Sequence, residues 1–322
     1  MRYTNIPGTS LKPAVICMGG VQFIEEREIE NSFKLLDLYC EFGGNFLDTA
    51  NIYGKWLLDG ANSSERLVGK WLKIRKNRNQ LIVATKGGHP DLTTMNQSRL
   101  TKNEIECDLN ESLKALQTDY VDLYWLHRDD QKIPVAVMID YLNELMKAGK
   151  IRYFGCSNWK PERIREALNY AQSKQMNGFV GNQVMWSLAV INENAFDDPT
   201  MVIMDEAGLK LHRQTELTAI AYSSQANGFF NKLANQAQLP LSSGMMRIYE
   251  NEENLKRLAR VKKLAGELSK SITQIVLGYL ISQPFTTIPI VGCHAVEQLK
   301  DSIQAGDLVL APKWVEYLEA GN

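Results

Sequence analysis

The sequence has little of what would direct a chain to a membrane, an export route or a nucleic acid. No segment approaches the roughly 20 consecutive apolar residues that cross a bilayer. The opening MRYTNIPGTSLKPAV lacks the apolar stretch of a signal peptide, so neither secretion nor insertion is expected. Cysteines are few and odd in number: Cys17, Cys40, Cys107, Cys156 and Cys293 lie far apart without a C-x-x-C pair. That argues against a disulfide framework or a zinc site and for reduced thiols in a cytoplasmic setting. The four histidines are equally scattered, and no metal is expected. Neither sign of charge dominates, since 36 Lys and Arg face 37 Asp and Glu for a formal charge of -1. Such a chain has no overall field for holding nucleic acid or an acidic membrane, and its expected partners are small molecules. A G-x-G-x-x-G after a strand and a P-loop are both missing, which removes the two commonest phosphate cradles. Nothing in the sequence sets the oligomeric state.

What is present is a packed, repetitive chain. Of 322 residues, 44% are hydrophobic and 23% charged, close to globular averages. Eight short apolar runs rich in β-branched and aromatic residues read as buried parallel strands, at 14–18, 45–48, 81–86, 121–127, 153–157, 180–184, 218–222 and 287–291. Between them, helical spacing marks 28–42, 64–75, 102–116, 133–148, 161–174 and 255–269. Thr101 and Glu104 stand at capping-box spacing, and Gly149 sits where a glycine would stop a helix. Eight strand-then-helix repeats without a linker favour a single-domain (β/α)8 TIM barrel over residues 1–322 rather than an open doubly wound sheet. Two stretches depart from the rhythm. Residues 1–13, turning at Pro7-Gly8, suggest a hairpin at the barrel bottom. The long segment 227–253, with Gly228, Pro240 and Gly244, suggests a loop able to fold over a ligand.

In such a barrel the chemistry sits at the C-terminal ends of the strands, so polar residues that end an apolar run are the candidates. Asp48 ends GGNFLDTA, Lys86 ends LIVATK, His127 ends VDLYWLH, and Tyr53 follows Asp48 on the same outgoing loop. A carboxylate and an ammonium buried there should pair, because an isolated buried charge costs several kcal/mol. An ammonium beside the Tyr53 phenol would favour the phenolate and make Tyr53 the better acid. His127 would then orient a carbonyl oxygen while Tyr53 supplies the proton that completes hydride addition. Singly, each residue reads better as part of a structural ion pair, a core histidine or a loop aromatic. Their joint placement after successive strands turns the balance toward carbonyl reduction or its reverse. Trp56, Trp125, Trp159 and Trp186, near strand ends or outgoing loops, are candidate walls of an apolar substrate pocket, with Arg128 a further candidate. Arg128, Asp129 and Asp130 read equally as a charged loop.

At these residues the chain resembles the aldo-keto reductase family, almost end to end. GGNFLDTANIYG is similar to the signature around its catalytic Asp and Tyr, ATKGG carries its lysine, and YWLHRDD its histidine. AGKIRYFGCSNW is similar to a second signature, and VGNQV supplies a matching glutamine. The resemblance implies a nicotinamide cofactor, NADP first with NAD the alternative, whose carboxamide is held by Ser157, Asn158 and Gln183 while Tyr222 stacks on its ring. Gly20, Val21 and Asp48 would lie along it. The run Ser223, Ser224, Gln225, Ala226, Gly228 and Phe229 would cradle the pyrophosphate through backbone N–H groups, Gly228 permitting close approach. Gly292, Cys293, His294, Gln298, Asp301 and Ser302, in VGCHAVEQLKDSIQA, would surround the adenosine. Here the pattern loosens. No Lys or Arg stands at 294 or 298, and Ser302 replaces the usual Asn, so discrimination for the extra phosphate of NADP should be weak. Two other readings compete: a nicotinamide-nucleotide-binding regulatory subunit with little turnover, and a barrel enzyme of other chemistry such as an isomerase or hydrolase. The second leaves Ser157, Asn158, Gln183 and Tyr222 without a shared ligand.

Overall fold

The computed structural model describes residues 1–24, 29–58, 60–193, 195–196, 198–235 and 241–321. Eight parallel strands close in chain order: β1 (Cys17–Gly19), β2 (Phe46–Asp48), β3 (Ile82–Gly87), β4 (Val121–Leu126), β5 (Ile151–Ser157), β6 (Gly181–Met185), β7 (Thr218–Tyr222) and β8 (Thr287–Val291). β8 pairs back onto β1 through Cys17 with Ile290 and Met18 with Val291. Every expected run supplies a strand, and the largest displacement is at β1. Ala14 and Val15, read as its start, pair instead with the N-terminal segment, Tyr3 bridging Ala14 antiparallel and the Val15 N–H bonding Arg2 O at 3.0 Å. Thr4 and Ile6 continue this pairing with Pro13 and Leu11, and the turn between needs the left-handed φ of +73° at Gly8. The expected hairpin is therefore present. Ile6 and Leu11 are buried with Cys17, Phe46, Ile82 and Leu123 and close the bottom of the barrel.

Helices α1 (Ile29–Glu41), α2 (Ser63–Arg75), α3 (Lys102–Leu116), α4 (Val135–Lys147) and α5 (Pro161–Ser173) match the helical spacing, although Glu28, the expected first residue of α1, lies outside the described residues. The α3 capping box forms in both directions, and Gly149 follows α4 with φ +72°. Further on, the structure holds α6 (Glu206–Gln214), α7 (Phe229–Ala234), α8 (Ser243–Tyr249), α9 (Glu252–Leu268), α10 (Ile272–Ile281), α11 (Val296–Gln304) and α12 (Pro312–Ala320). α9 starts earlier than expected, at 252 instead of 255, because Asn251 caps it by accepting from Asn254 N at 2.8 Å. α10 is buried almost all round. A helix without a polar face prints no 3.6-residue stripe, so spacing does not single it out.

The segment 227–253 is not a plain loop. It carries α7 and α8, and Phe229, Phe230, Met245 and Tyr249 are buried against the barrel flank. Residues 236–240, Pro240 among them, lie outside the described residues.

Strand alternation decides what reaches the barrel axis. Side chains along a strand point alternately to opposite faces. On β3, Val83 packs outward with the helices and Thr85 Oγ1 donates to Glu65 of α2, while Ile82 and Ala84 join the inner cluster. Lys86 is next in the inward row. The same parity takes β2 from Phe46 to Asp48, β4 from Leu123 through Trp125 to His127, and β7 from Ile220 to Tyr222. Apolar side chains fill the lower layers, and the polar Asp48, Lys86, His127 and Tyr222 follow at the top of these four rows.

Candidate active site

Asp48 and Lys86 meet as a fully buried pair, with Nζ 2.6 Å from Oδ2. Burial of this kind is tolerable only when every polar atom finds a partner. Lys86 Nζ donates to Asp48 Oδ2 at 2.6 Å, Thr49 O at 2.7 Å and the Tyr53 hydroxyl oxygen at 3.1 Å, using its three hydrogens. Asp48 Oδ1 accepts from Trp125 Nε1 at 3.0 Å and Gln183 Nε2 at 2.9 Å. Burial alone would lower the lysine, but Asp48 and Tyr53, through charge and hydrogen bonds, outweigh it and hold Lys86 above its ordinary value. It stays an ammonium. Because its third hydrogen enters the Tyr53 oxygen, the phenol's own hydrogen is free to point into the site.

His127 stands edge to face against Tyr53, ring centroids 6.2 Å apart. Burial, reinforced by His89, Arg128 and Lys86, pushes it well below the usual histidine range, so the ring is neutral. Its Nδ1 is enclosed without a hydrogen-bond partner. An enclosed N–H is costlier to orphan than a lone pair, which favours the tautomer with the hydrogen on Nε2, facing the site. Tyr53 and His127 thus stand side by side, each a hydrogen-bond donor in this protonation state.

The rim beyond them contains the residues expected on the cofactor. Ser157 ends β5 and Asn158 follows it, Gln183 lies on β6 with its Nε2 on Asp48, and Tyr222 ends β7. Asn158 adopts φ +59°; its Oδ1 accepts from Tyr222 Oη at 2.7 Å and Val202 N at 3.2 Å. Gly20 is packed so tightly that a Cβ would meet Ser64 Oγ at 2.9 Å and Asp48 O at 3.1 Å, and the adjoining Val21 is exposed. After β7, Ser223, Ala226, Asn227 and Gly228 all have positive φ, forming a tight turn. Ser224 Oγ donates to Ile290 O, Gln225 Nε2 donates to Ser302 Oγ, and Ala226 and Phe229 are buried. Beyond β8 follow Gly292, buried Cys293 and His294, whose N–H donates to Gln298 Oε1 at 2.9 Å. Asp301 is turned aside: its Oδ1 accepts from Ser271 and Gln274 at the start of α10.

The tryptophans correct the sequence reading. Trp125 is fully buried inside the barrel beneath Asp48; Gly155 and Gly181 leave room for its ring, which a Cβ at Gly155 would meet at 2.4 Å. Trp159 is buried edge to face on Phe179, and Trp186 packs on Phe285 and Tyr279. None of the three is free to wall an open pocket. Only Trp56, half exposed and 6.4 Å from the Tyr53 ring, stands beside the site. Arg128 is drawn into the molecule by Thr200 and Asp198 at 2.8 and 3.2 Å, and Asp129 pairs with Arg163.

Sequence reasoning missed two residues. His89 meets His127 edge to face at 4.7 Å. Gln22 has both amide atoms enclosed and unpartnered beside Gly292, where a Cβ would come 3.4 Å from Oε1, on a cavity of about 310 Å³ shared with Trp56 and His294. A polar residue a few positions beyond a strand-end candidate was the available signal in both cases.

The histidine pair sets a pH dependence. Burial and Arg128 push His89 down from 6.5 to about 4, and His127 moves the same way. The fold therefore binds fewer protons than the unfolded chain below about 6.5. Stability should be complete above that value and fall as pH drops toward 4, and urea titrations at successive pH values should show a shallower fall in His89→Gln.

The barrel thus carries a buried Asp48–Lys86 pair in contact with the Tyr53 phenol. The aldo/keto reductase family model matches residues 15–322, and the chain belongs to that family as an NAD(P)-dependent oxidoreductase. It is 28% identical to the uncharacterized oxidoreductase YrpG of Bacillus subtilis, covering 96% of this chain and 92% of that protein. It is 29% identical to the probable aryl-alcohol dehydrogenase AAD4 of Saccharomyces cerevisiae over 90% of this chain and 87% of the relative. The NADP(+) aryl-alcohol dehydrogenase of Phanerodontia chrysosporium is 28% identical, with 90% and 75% covered. A thermostable aldo-keto reductase, Tm1743, solved with the inhibitor epalrestat, superimposes over the full length of both chains with a TM-score of 0.74 at 24% identity, and shares the fold. Among the described residues no helix is long and apolar enough to cross a membrane.

Proposed function

We propose that the protein reduces aldehydes or ketones to alcohols with NADP(H), Tyr53 acting as the proton donor. The observation that carries this reading is the third hydrogen bond of the Lys86 ammonium, given to the Tyr53 oxygen and not to solvent. Asp48 keeps Lys86 charged, Lys86 stabilises the negative charge that grows on Tyr53 as its proton leaves, and neutral His127 holds the carbonyl oxygen within reach. Trp125 and Gln183 fix the Asp48 carboxylate on its other oxygen. The nicotinamide, when bound, supplies the hydride. Ser157, Asn158 and Gln183 would hold its carboxamide, with Tyr222 against the ring. The enclosed, unpartnered amide of Gln22 and the positive-φ turn after β7 fit a polar ligand running from this rim toward Gly292. Nicotinamide oxidation followed by absorbance across panels of aldehydes, ketones and sugars tests the reaction; no turnover with any of them would defeat it.

NADP is the proposed cofactor with a modest margin. No guanidinium stands at His294 or Gln298 to grip a ribose phosphate bidentately. Fluorescence titration should give NADP the tighter binding by no more than about tenfold, the scale of one net charged contact. Equal or tighter NAD binding would reverse the assignment. A reducing, cytoplasmic setting belongs to the same reading, supported by five free cysteines.

A further inference from the structure

His89 is a buried side chain in contact with His127 that the mechanism above does not use. It follows β3 by two residues, and the left-handed Gly88 (φ +73°) turns the chain so that its ring returns against His127. Its Nδ1 lies 2.7 Å from Pro90 O. A carbonyl can only accept, so Nδ1 carries the hydrogen, and in the neutral ring Nε2 is then a bare lone pair. Among the described residues no group donates to that nitrogen, and it is not among the enclosed orphan atoms, so it remains accessible. Burial and Arg128 keep the ring neutral through the physiological range.

The site therefore has two donors, Tyr53 and His127, and beside them one unclaimed acceptor, with the two imidazole centroids only 4.7 Å apart. Its surroundings are polar: Arg128, Asp198 and Lys55 all act electrostatically on His89, while three of the four tryptophans expected as apolar walls are packed elsewhere. The geometry points to His89 as a specificity-determining residue that accepts a hydrogen bond from a hydroxyl on the carbon next to the carbonyl, selecting hydroxylated aldehydes or ketones over their deoxy counterparts. This rests on the carbonyl-reductase reading for its reaction, but not for its binding contact. An apolar analogue would leave the lone pair unmatched and the hydroxyl's displaced water unreplaced.

Glyceraldehyde and propanal form a matched pair for the test. Wild type should favour glyceraldehyde in kcat/KM by about tenfold, the value of one net hydrogen bond. His89→Phe should lose most of that preference through KM for glyceraldehyde, and His89→Asn, which restores an acceptor, should recover part of it. Equal losses on both substrates in His89→Phe, or no preference in wild type, would overturn the proposal. A second measurement does not need turnover: in protein labelled with ¹⁵N-histidine and saturated with oxidised cofactor, glycerol should move the His89 Nε2 resonance and propan-1-ol should not. Failure of turnover with the glycerol response intact would count against the reductase reading alone. An unmoved resonance with glycerol would sink the His89 assignment, whatever the enzyme reduces.

Discussion

Tyr53→Phe should lower kcat for aldehyde reduction by about 10³-fold, in the middle of the range that a positioned general acid contributes. The substitution removes one oxygen and leaves the ring beside Trp56 and His127. It also leaves Lys86 with two of its three acceptors, Asp48 and Thr49. The buried pair survives, so the fold and cofactor affinity should change little while the proton source is gone. Single-turnover kinetics with saturating cofactor would separate the chemical step from release. Retention of more than about a tenth of the wild-type rate would mean that another group, or water, delivers the proton.

Lys86→Met is expected to act on stability as well as on turnover. Asp48 is almost wholly buried, and its Oδ2 has Lys86 as its partner. Removing the ammonium leaves a buried carboxylate with only the donors on Oδ1, Trp125 and Gln183. Breaking one side of such a pair costs about 3–5 kcal/mol, far more than the intact pair contributes over an apolar substitute. Adding Asp48→Asn should return a large part of that loss, because the stranded charge is what makes the single variant unstable. Chemical denaturation of the two single variants and the double would measure the coupling. Additive losses would show that Lys86 and Asp48 do not depend on each other. Neither Lys86 variant should reduce aldehydes at more than a small fraction of the wild-type rate, since Tyr53 would lose the charge that steadies its anion.

The four polar side chains were legible because a parallel strand has period two and a barrel has a filled interior. Apolar residues occupy the lower inward positions, so a polar residue closing such a run, as in LIVATK or VDLYWLH, stands where burial must be justified by function or pairing. The same parity contained a warning that the sequence reading did not use. Trp125 is two residues before His127, hence on the same inward row and one layer lower, under Asp48 and not around a substrate. The amphipathic helices were visible for the corresponding reason, while α10, buried almost all round, had little contrast to show.

Local order along the chain determined the β/α repeat, the helix caps, the hairpin turn at Gly8 and the row on which Asp48, Lys86 and His127 lie, because each depends on neighbours a few residues away. Only tertiary structure decided that Lys86 gives its third hydrogen to Tyr53, that Arg128 is held by Asp198 seventy positions on, and that His89 stands against His127 with a free lone pair. Those relations come from barrel closure and from loops meeting above it, distances that no periodicity along the chain encodes.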